Sequence, residues 1–346
     1  MDMIKNKPFL TDEKVDDFTA EDFVFVHRNE ELLDEAYTAT SYAKDVWMHF
    51  KKNKGAVLGA IIIIAIILLA IIGPMISGYK ADAINLDVQS LPPRIQGIYK
   101  LGIFSGYEKG VDQYAAHGVS QAFYWFGTDT NGRDLFTRVW EGTRVSLIIA
   151  LSAVVIDIVI GMSYGLISGY FGGKVDMVMQ RFMEILNGIP TLVVVTLLGL
   201  VLPPGITSIV FALMITGWIG MARISRAEVL KLKESEFILA SRTLGAKNFS
   251  IIFKEVMPNI FGQLIVMSMF SIPNAIFTEA FLSFVGLGIQ APEASLGSLI
   301  SDGYKSLTGH PHIIMSAIIV LALLMLSFNL FADGIRDAFD PNQKQR

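Results

Sequence analysis

Residues 56–76 form an unbroken apolar run without a single charged side chain. About 20 residues of helix rise through roughly 30 Å, the thickness of a bilayer's hydrocarbon core. In hydrocarbon a backbone must satisfy its own hydrogen bonds, so such a run is a membrane helix. Trp47, His49 and Phe50, followed by Lys51, Lys52 and Lys54, supply an aromatic belt and a positive anchor just before it, which places its start on the cytoplasmic side. Further apolar runs predict spans near residues 144–167, 177–202, 206–222, 259–285 and 313–331. Six spans return both termini to the cytoplasm. The charges agree, because Lys305 is the only Lys or Arg between Asn259 and His312. The fold class expected is therefore an all-α membrane protein with six transmembrane helices.

Composition supports this and closes other routes. Hydrophobic residues make up 52% and charged ones 17%, with a mean hydropathy of +0.51, too apolar for a soluble globular domain. A net charge of −4 with cations confined to loops gives no reason to expect nucleic acid. With no cysteine there is no disulfide and no thiolate site. His27, His49, His117, His310 and His312 lack ligand spacing, so no metal site is expected. The first 50 residues are polar and acidic, without the apolar core of a cleavable signal, and read as a cytoplasmic tail with one surface helix. The expected divisions are a tail at 1–54, a first helix at 55–76, an extracytoplasmic loop at 77–142, a five-span core at 143–335 and a tail at 336–346.

Residues 223–258 are a polar island between two apolar runs, with seven Lys and Arg against four Glu. Phe237, Ala240, Ser241 and Leu244 recur at helical spacing, and Gly245 follows where a helix end favours a left-handed residue. A second short helical pattern, with Phe249, Ile252 and Phe253, starts before Pro258. Two short helices joined by a glycine make a knob fitted for docking to a partner. Ala240, Ser241, Gly245 and Pro258 resemble, in spacing, the motif E-A-A, three residues, G, nine residues, I-x-L-P, which marks the cytoplasmic coupling loop of ABC-importer permease subunits. Leu239, Ser241, Glu255 and Met257 depart from it.

Three more segments carry a narrower resemblance, to the C-type subunits of the oligopeptide and dipeptide permease family. The run from Gly127 through Asp129, Gly132 and Arg133 to Asp134 is similar to that family's G-T-D-x-x-G-R-D, although on pattern alone it reads equally as a turn and a capped helix start. Glu279, Gly286, Gly288 and Pro292 stand in a segment resembling E-A-x-L-S-F-x-G-L-G-x-x-x-P, with Leu296 where many relatives have Trp. The glycines and the proline predict a break and a tightly folded or re-entrant outer loop. Asn329, Asp333, Arg336, Asp337, Asp340 and Pro341 complete the pattern.

The resemblance implies the ABC importer type I permease fold and a mechanical role. The chain would pair with a second homologous permease subunit, two ATP-binding subunits and an extracytoplasmic peptide-binding protein. Glu236, Ala240, Ser241, Gly245 and Pro258 would couple ATPase closure to alternating access, and Glu279, Gly286, Gly288 and Pro292 would gate or brace the outer end. No G-x-x-x-x-G-K-[ST] run occurs and no nucleophile has a neighbouring base, so a non-catalytic subunit with no cofactor of its own is expected. ATP and Mg would belong to the partner ATPases. The same architecture could import nickel, glutathione or another small solute. A self-sufficient secondary transporter is the alternative from another class, and a receptor or scaffold that transports nothing is a third.

Several residues have plainer readings. Asp157 lies deep in span two, where a charge costs on the order of 3 kcal/mol unless paired or wetted; a helix-to-helix hydrogen bond or protonation competes with a place on the translocation path. Arg181 and Glu184 read as a local ion pair. Gly161, Gly165 and Gly169 read as a close-packing stripe. Pro190 and Pro273 kink their spans, and such kinks also serve as hinges.

Overall fold

The computed structural model describes residues 42–203 and 205–339. The N-terminal tail up to residue 41, with its expected surface helix and His27, Pro204, and the Asp340 and Pro341 of the terminal motif lie outside the described residues. The chain divides into two units, Met1–Asp45 and Val46–Arg346, and the fold is that of the second.

Helix α1 (Tyr42–Lys52) ends in the expected belt, where Trp47 stacks on Phe50 and Lys51 lies over the Trp47 ring. Asn53 caps the first span, α2 (Lys54–Ser77), by accepting from the Ala56 N–H. The outer segment then carries a hairpin of β1 (Tyr107–Glu108) and β2 (Val111–Asp112), and a short helix α3 (Gln113–Ala116). What reads as a long polar loop has a core of its own. Val88, Leu91, Tyr114 and Tyr124 pack together, and the Arg94 guanidinium lies among the rings of Tyr99, Tyr114 and Phe123.

Span two begins earlier than its hydropathy suggests. Its helix runs from Leu135 to Phe171 as α4 (Leu135–Ile156), a π segment (Asp157–Met162) and α5 (Ser163–Phe171). Arg138 and Glu141 mask its first turns in the sequence; in the fold Arg138 is wholly buried and donates to the Ala81 carbonyl. Span three is broken. α6 (Gly173–Asn187) and α7 (Thr191–Leu198) meet at a 74° bend beside Pro190. Span four is α8 (Ile206–Thr216) and α9 (Ile219–Leu232). Span five continues from α11 (Asn248–Ile251) through a second π segment (Ile252–Val256) into α12 (Met257–Phe284).

Past α12 the structure adds α13 (Leu296–Lys305), absent from the sequence reading, and then the last span, α14 (His312–Phe339), eight residues longer than predicted at its inner end. Gly297 in α13 abuts the Ala280 carbonyl so closely that any Cβ would collide. Leu296, fully buried, fills the place of the expected Trp.

Contacts decide the span count. Five helices are long and apolar enough to cross a membrane, and the bent pair α6–α7 supplies a sixth. The end of span two touches the segment after span four, since Tyr170 donates to Asn248 Oδ1 at 3.2 Å. Between them the chain must therefore leave that face and return, which makes α6–α7 a crossing. Asn53 donates to Asp337 Oδ2 at 3.1 Å, so the start of the first span and the end of the last share a face, as an even number requires.

Candidate functional site

The knob is built on the inner end of span four. α9 runs well into the polar island, so the island is less a loop than a helix extension capped by two short helices. After Ser235 comes α10 (Glu236–Thr243). Gly245 adopts φ +81°; its N–H donates to the Arg242 carbonyl and that of Ala246 to the Ser241 carbonyl, a left-handed helix end that a side chain with a Cβ resists. Pro258 lies in a helix that runs on to Phe284, immediately after the π segment. There the bonding register changes, so a residue with no N–H is accommodated.

The knob is anchored by one side and bare on the other. Ile238, Ile251, Ile252 and Val256 are fully buried against Leu166, Tyr170 and Val229 of spans two and four. The Arg242 guanidinium stacks over Tyr170, and Phe171 meets Phe249 edge-on. Glu236, Ala240 and Gly245 are exposed, with Ser241 half-buried. Around them Phe237, Leu239, Leu244 and Phe249 also stand in the open, Leu244 at 87% and Phe249 at 61% exposure. Apolar side chains clustered on a polar loop mark a contact surface.

Two features stiffen the base of the knob. The Gly161, Gly165 and Gly169 stripe lies against α9, where Cβ atoms would meet Met221, Ala222, Ser225 and Val229. Arg226 of α9 donates from Nε and Nη2 to the two oxygens of Asp176, both at 2.6 Å. Ser168 also donates to Asp176. The two ends of this pair are 50 residues apart in the chain and no periodicity links them. Arg181 and Glu184 pair locally at 2.6 Å, as their spacing predicts.

At the other end the Gly127–Asp134 segment forms a clasp. Asp129 is buried, accepts from the N–H groups of Asn131 and Arg133, and pairs with the Arg133 Nε at 2.6 Å. Asp134 caps α4 by accepting from the Thr137 N–H and hydroxyl; burial pushes its carboxyl above the usual range while those Thr137 bonds act the other way. Thr128 exchanges bonds with Leu91, and Ser90 donates to the Asp129 carbonyl. Gly132, at φ +72°, touches the Asn85 carbonyl so closely that no Cβ fits. The segment ties the outer unit to the head of span two.

Glu279, fully buried in α12, accepts from Ser146 of α4 at 2.7 Å and from Ser283 at 2.8 Å. Ser283 in turn accepts from the Ile289 N–H, and Gly288 is pressed against it. Gly286 provides the left-handed turn at φ +85°. Pro292 lies with Glu293 beside Pro74, Tyr79 and Glu141. The outer segment thus folds back onto spans two and five through Glu279, a partner set that spacing alone does not reveal. Among the described residues no group of three His, Asp or Glu side chains is placed to hold a metal ion.

Comparison with known proteins puts this geometry in context. Residues 161–345 match the family described as binding-protein-dependent transport system inner membrane component, and residues 41–93 match the N-terminal TM domain of oligopeptide transport permease C. The dipeptide transport system permease protein DppC of Bacillus subtilis (strain 168) is 41% identical over 92% of this chain and 91% of its own. DppC of Lactococcus lactis subsp. cremoris (strain MG1363) is 45% identical over 90% of this chain and 93% of its own. A solved structure, the MetNI methionine ABC transporter in an inward-facing conformation, is similar over 59% of this chain and 97% of that chain, at 18% identity and a TM-score of 0.49.

Proposed function

Because the chain belongs to the family of binding-protein-dependent transport system inner membrane components, we propose that it is a multi-pass permease subunit of an ATP-driven importer of dipeptides or oligopeptides. The observation that carries the coupling role is the knob, with apolar side chains bare on one side and a core continuous with spans two, four and five on the other. A second permease subunit, two ATP-binding subunits and an extracytoplasmic binding protein complete the assembly, and the ATPases hold the ATP and Mg. The knob and both termini face the cytoplasm, in keeping with the cations around them.

The mechanism is alternating access. Closure of the ATPases pushes on the surface around Glu236, Ala240 and Leu244. The helices α10 and α11 share their core with α5 and α9, and α11 leads without a break into α12, so the push rotates spans four and five as one body. Gly245 sets the angle between the short helices. That its relatives are dipeptide transport permeases is the ground for a peptide as solute.

Purification of the complex by a tag on this chain should bring down two ATPases and a second permease, and vesicles holding it should take up labelled dipeptide when ATP is supplied. Uptake of nickel or glutathione in place of peptide would overturn the substrate, and recovery of the chain alone would overturn the importer. Gly245→Val should cut uptake per ATP hydrolysed about tenfold or more, since a β-branched residue at positive φ costs on the order of 1–3 kcal/mol. Unchanged uptake per ATP hydrolysed would remove Gly245 from the coupling path.

A further inference from the structure

Three spans lose regular helical geometry around one cavity. Asp157 opens the π segment of span two, Gly217 and Trp218 separate α8 from α9, and Pro273 sits inside α12. Asp157, Gly217, Ser271, Asn274 and Thr278 line a cavity of about 50 Å³ between them. Within a membrane, irregular backbone is tolerated where it is buried in protein or borders water, and broken helices converging near the midplane are where transporters hold their solutes. Asp157 is only 5% exposed. Ser271 stands beside it on the cavity wall, and it has no ion-pair partner among the described residues. Asn274 and Gly217, by contrast, are open at the surface of this chain. A carboxylate and an open amide set well inside two spans are disfavoured against lipid, so this face looks onto water or another chain.

We propose that the niche borders the solute path and is an anionic subsite for a primary ammonium, the α-amino group of a passing peptide. The proposal rests on the peptide reading above. An ammonium carries three donors and no acceptor. The niche offers it a carboxylate, the Asn274 amide oxygen and the hydroxyl oxygens of Ser271 and Thr278, and a charge-assisted bond to carboxylate is among the strong ones. The α-ammonium is a cation that peptides share whatever their side chains. A cavity of about 50 Å³ accommodates such a group and excludes larger side chains.

The chain contains no cysteine, so a single introduced thiol reports on the niche. In the assembled complex in vesicles, without the binding protein, Asn274→Cys is treated with a small hydrophilic thiol reagent and this chain is analysed by mass spectrometry. Labelling is expected, and millimolar Ala-Ala should slow it several-fold while N-acetyl-Ala-Ala does not. Adding Asp157→Asn should abolish that protection, and Asp157→Glu, which keeps the charge, should retain part of it. Where Asn274→Cys does not assemble, Thr278→Cys on the same wall gives the same readout. A thiol that never reacts, or one protected equally by both peptides or by neither, overturns the proposal. ATP-dependent uptake of Ala-Ala by the parent complex supplied with its binding protein, measured alongside, separates the cases: uptake without ammonium-selective protection removes the niche alone, whereas absence of uptake removes the peptide reading beneath it.

Discussion

Pro74 has no N–H, so the Ala70 carbonyl one turn before it in α2 has no helical donor. Arg144 of span two takes that place, donating from Nε at 3.3 Å and from Nη2 at 2.9 Å to the same oxygen. A cation near the outer end of a span thus finds its partner in a helix defect, not in an acid. Arg144→Gln should lower thermal stability in detergent by about 1–3 kcal/mol, the cost of an unpaired buried carbonyl and two lost bonds. In a Pro74→Ala background the Ala70 oxygen regains its backbone donor, and the same substitution should cost less than half as much. Equal losses in both backgrounds would show that Arg144 serves some other contact. Hydropathy reads Arg144 as the edge of span two; its bond to Ala70, 74 residues away, has no trace in either local pattern.

Among the helices, the link of most consequence joins α9 to α6. The Arg226 fork on Asp176 ties the helix that enters the knob to the start of the broken span, whereas Arg181–Glu184 and Lys231–Glu228 stay within one helical turn. On the proposed coupling mechanism, a push on the knob would reach α6 as well as α12. Asp176→Asn should lower uptake per ATP about five- to thirtyfold, in line with a loss on the order of 1–2 kcal/mol for a partly exposed charge-assisted pair. The swap Asp176→Arg with Arg226→Asp should recover part of it in a transport assay. No recovery, with folding intact, would assign the loss to Asp176's bond with Ser168. The knob itself was legible because helical spacing, a glycine and flanking apolar runs all bear on neighbouring residues. α13 was not, since Gly297 and Gly303 weaken its pattern and its burial depends on Ala280 and Ile314 of other helices. The π segments at Asp157 and Ile252 escaped for a like reason, because apolar side chains tolerate either bonding register.

For the molecule as a whole, topology follows from contacts at its two faces. Hydropathy finds six apolar runs, but the third is built from α6 and α7, which meet at 74° and are each too short to cross alone. The outer unit is likewise read as a loop, because Arg94 and its aromatic cage look polar one residue at a time. Counting through the chain, the outer unit follows span one and the knob follows span four. If α6–α7 crosses, three spans lie between them and they stand on opposite sides; if it turns back, two crossings lie between them and they share a side. Leu101, 77% exposed in the outer unit, and Thr243, exposed in the knob, are suited to decide this in a chain with no cysteine of its own. In intact cells a membrane-impermeant thiol reagent should label Leu101→Cys and spare Thr243→Cys until the membrane is opened. Labelling of both from outside would make α6–α7 a re-entrant hairpin and put the knob out of reach of any ATPase, ending the coupling mechanism along with the six-span count.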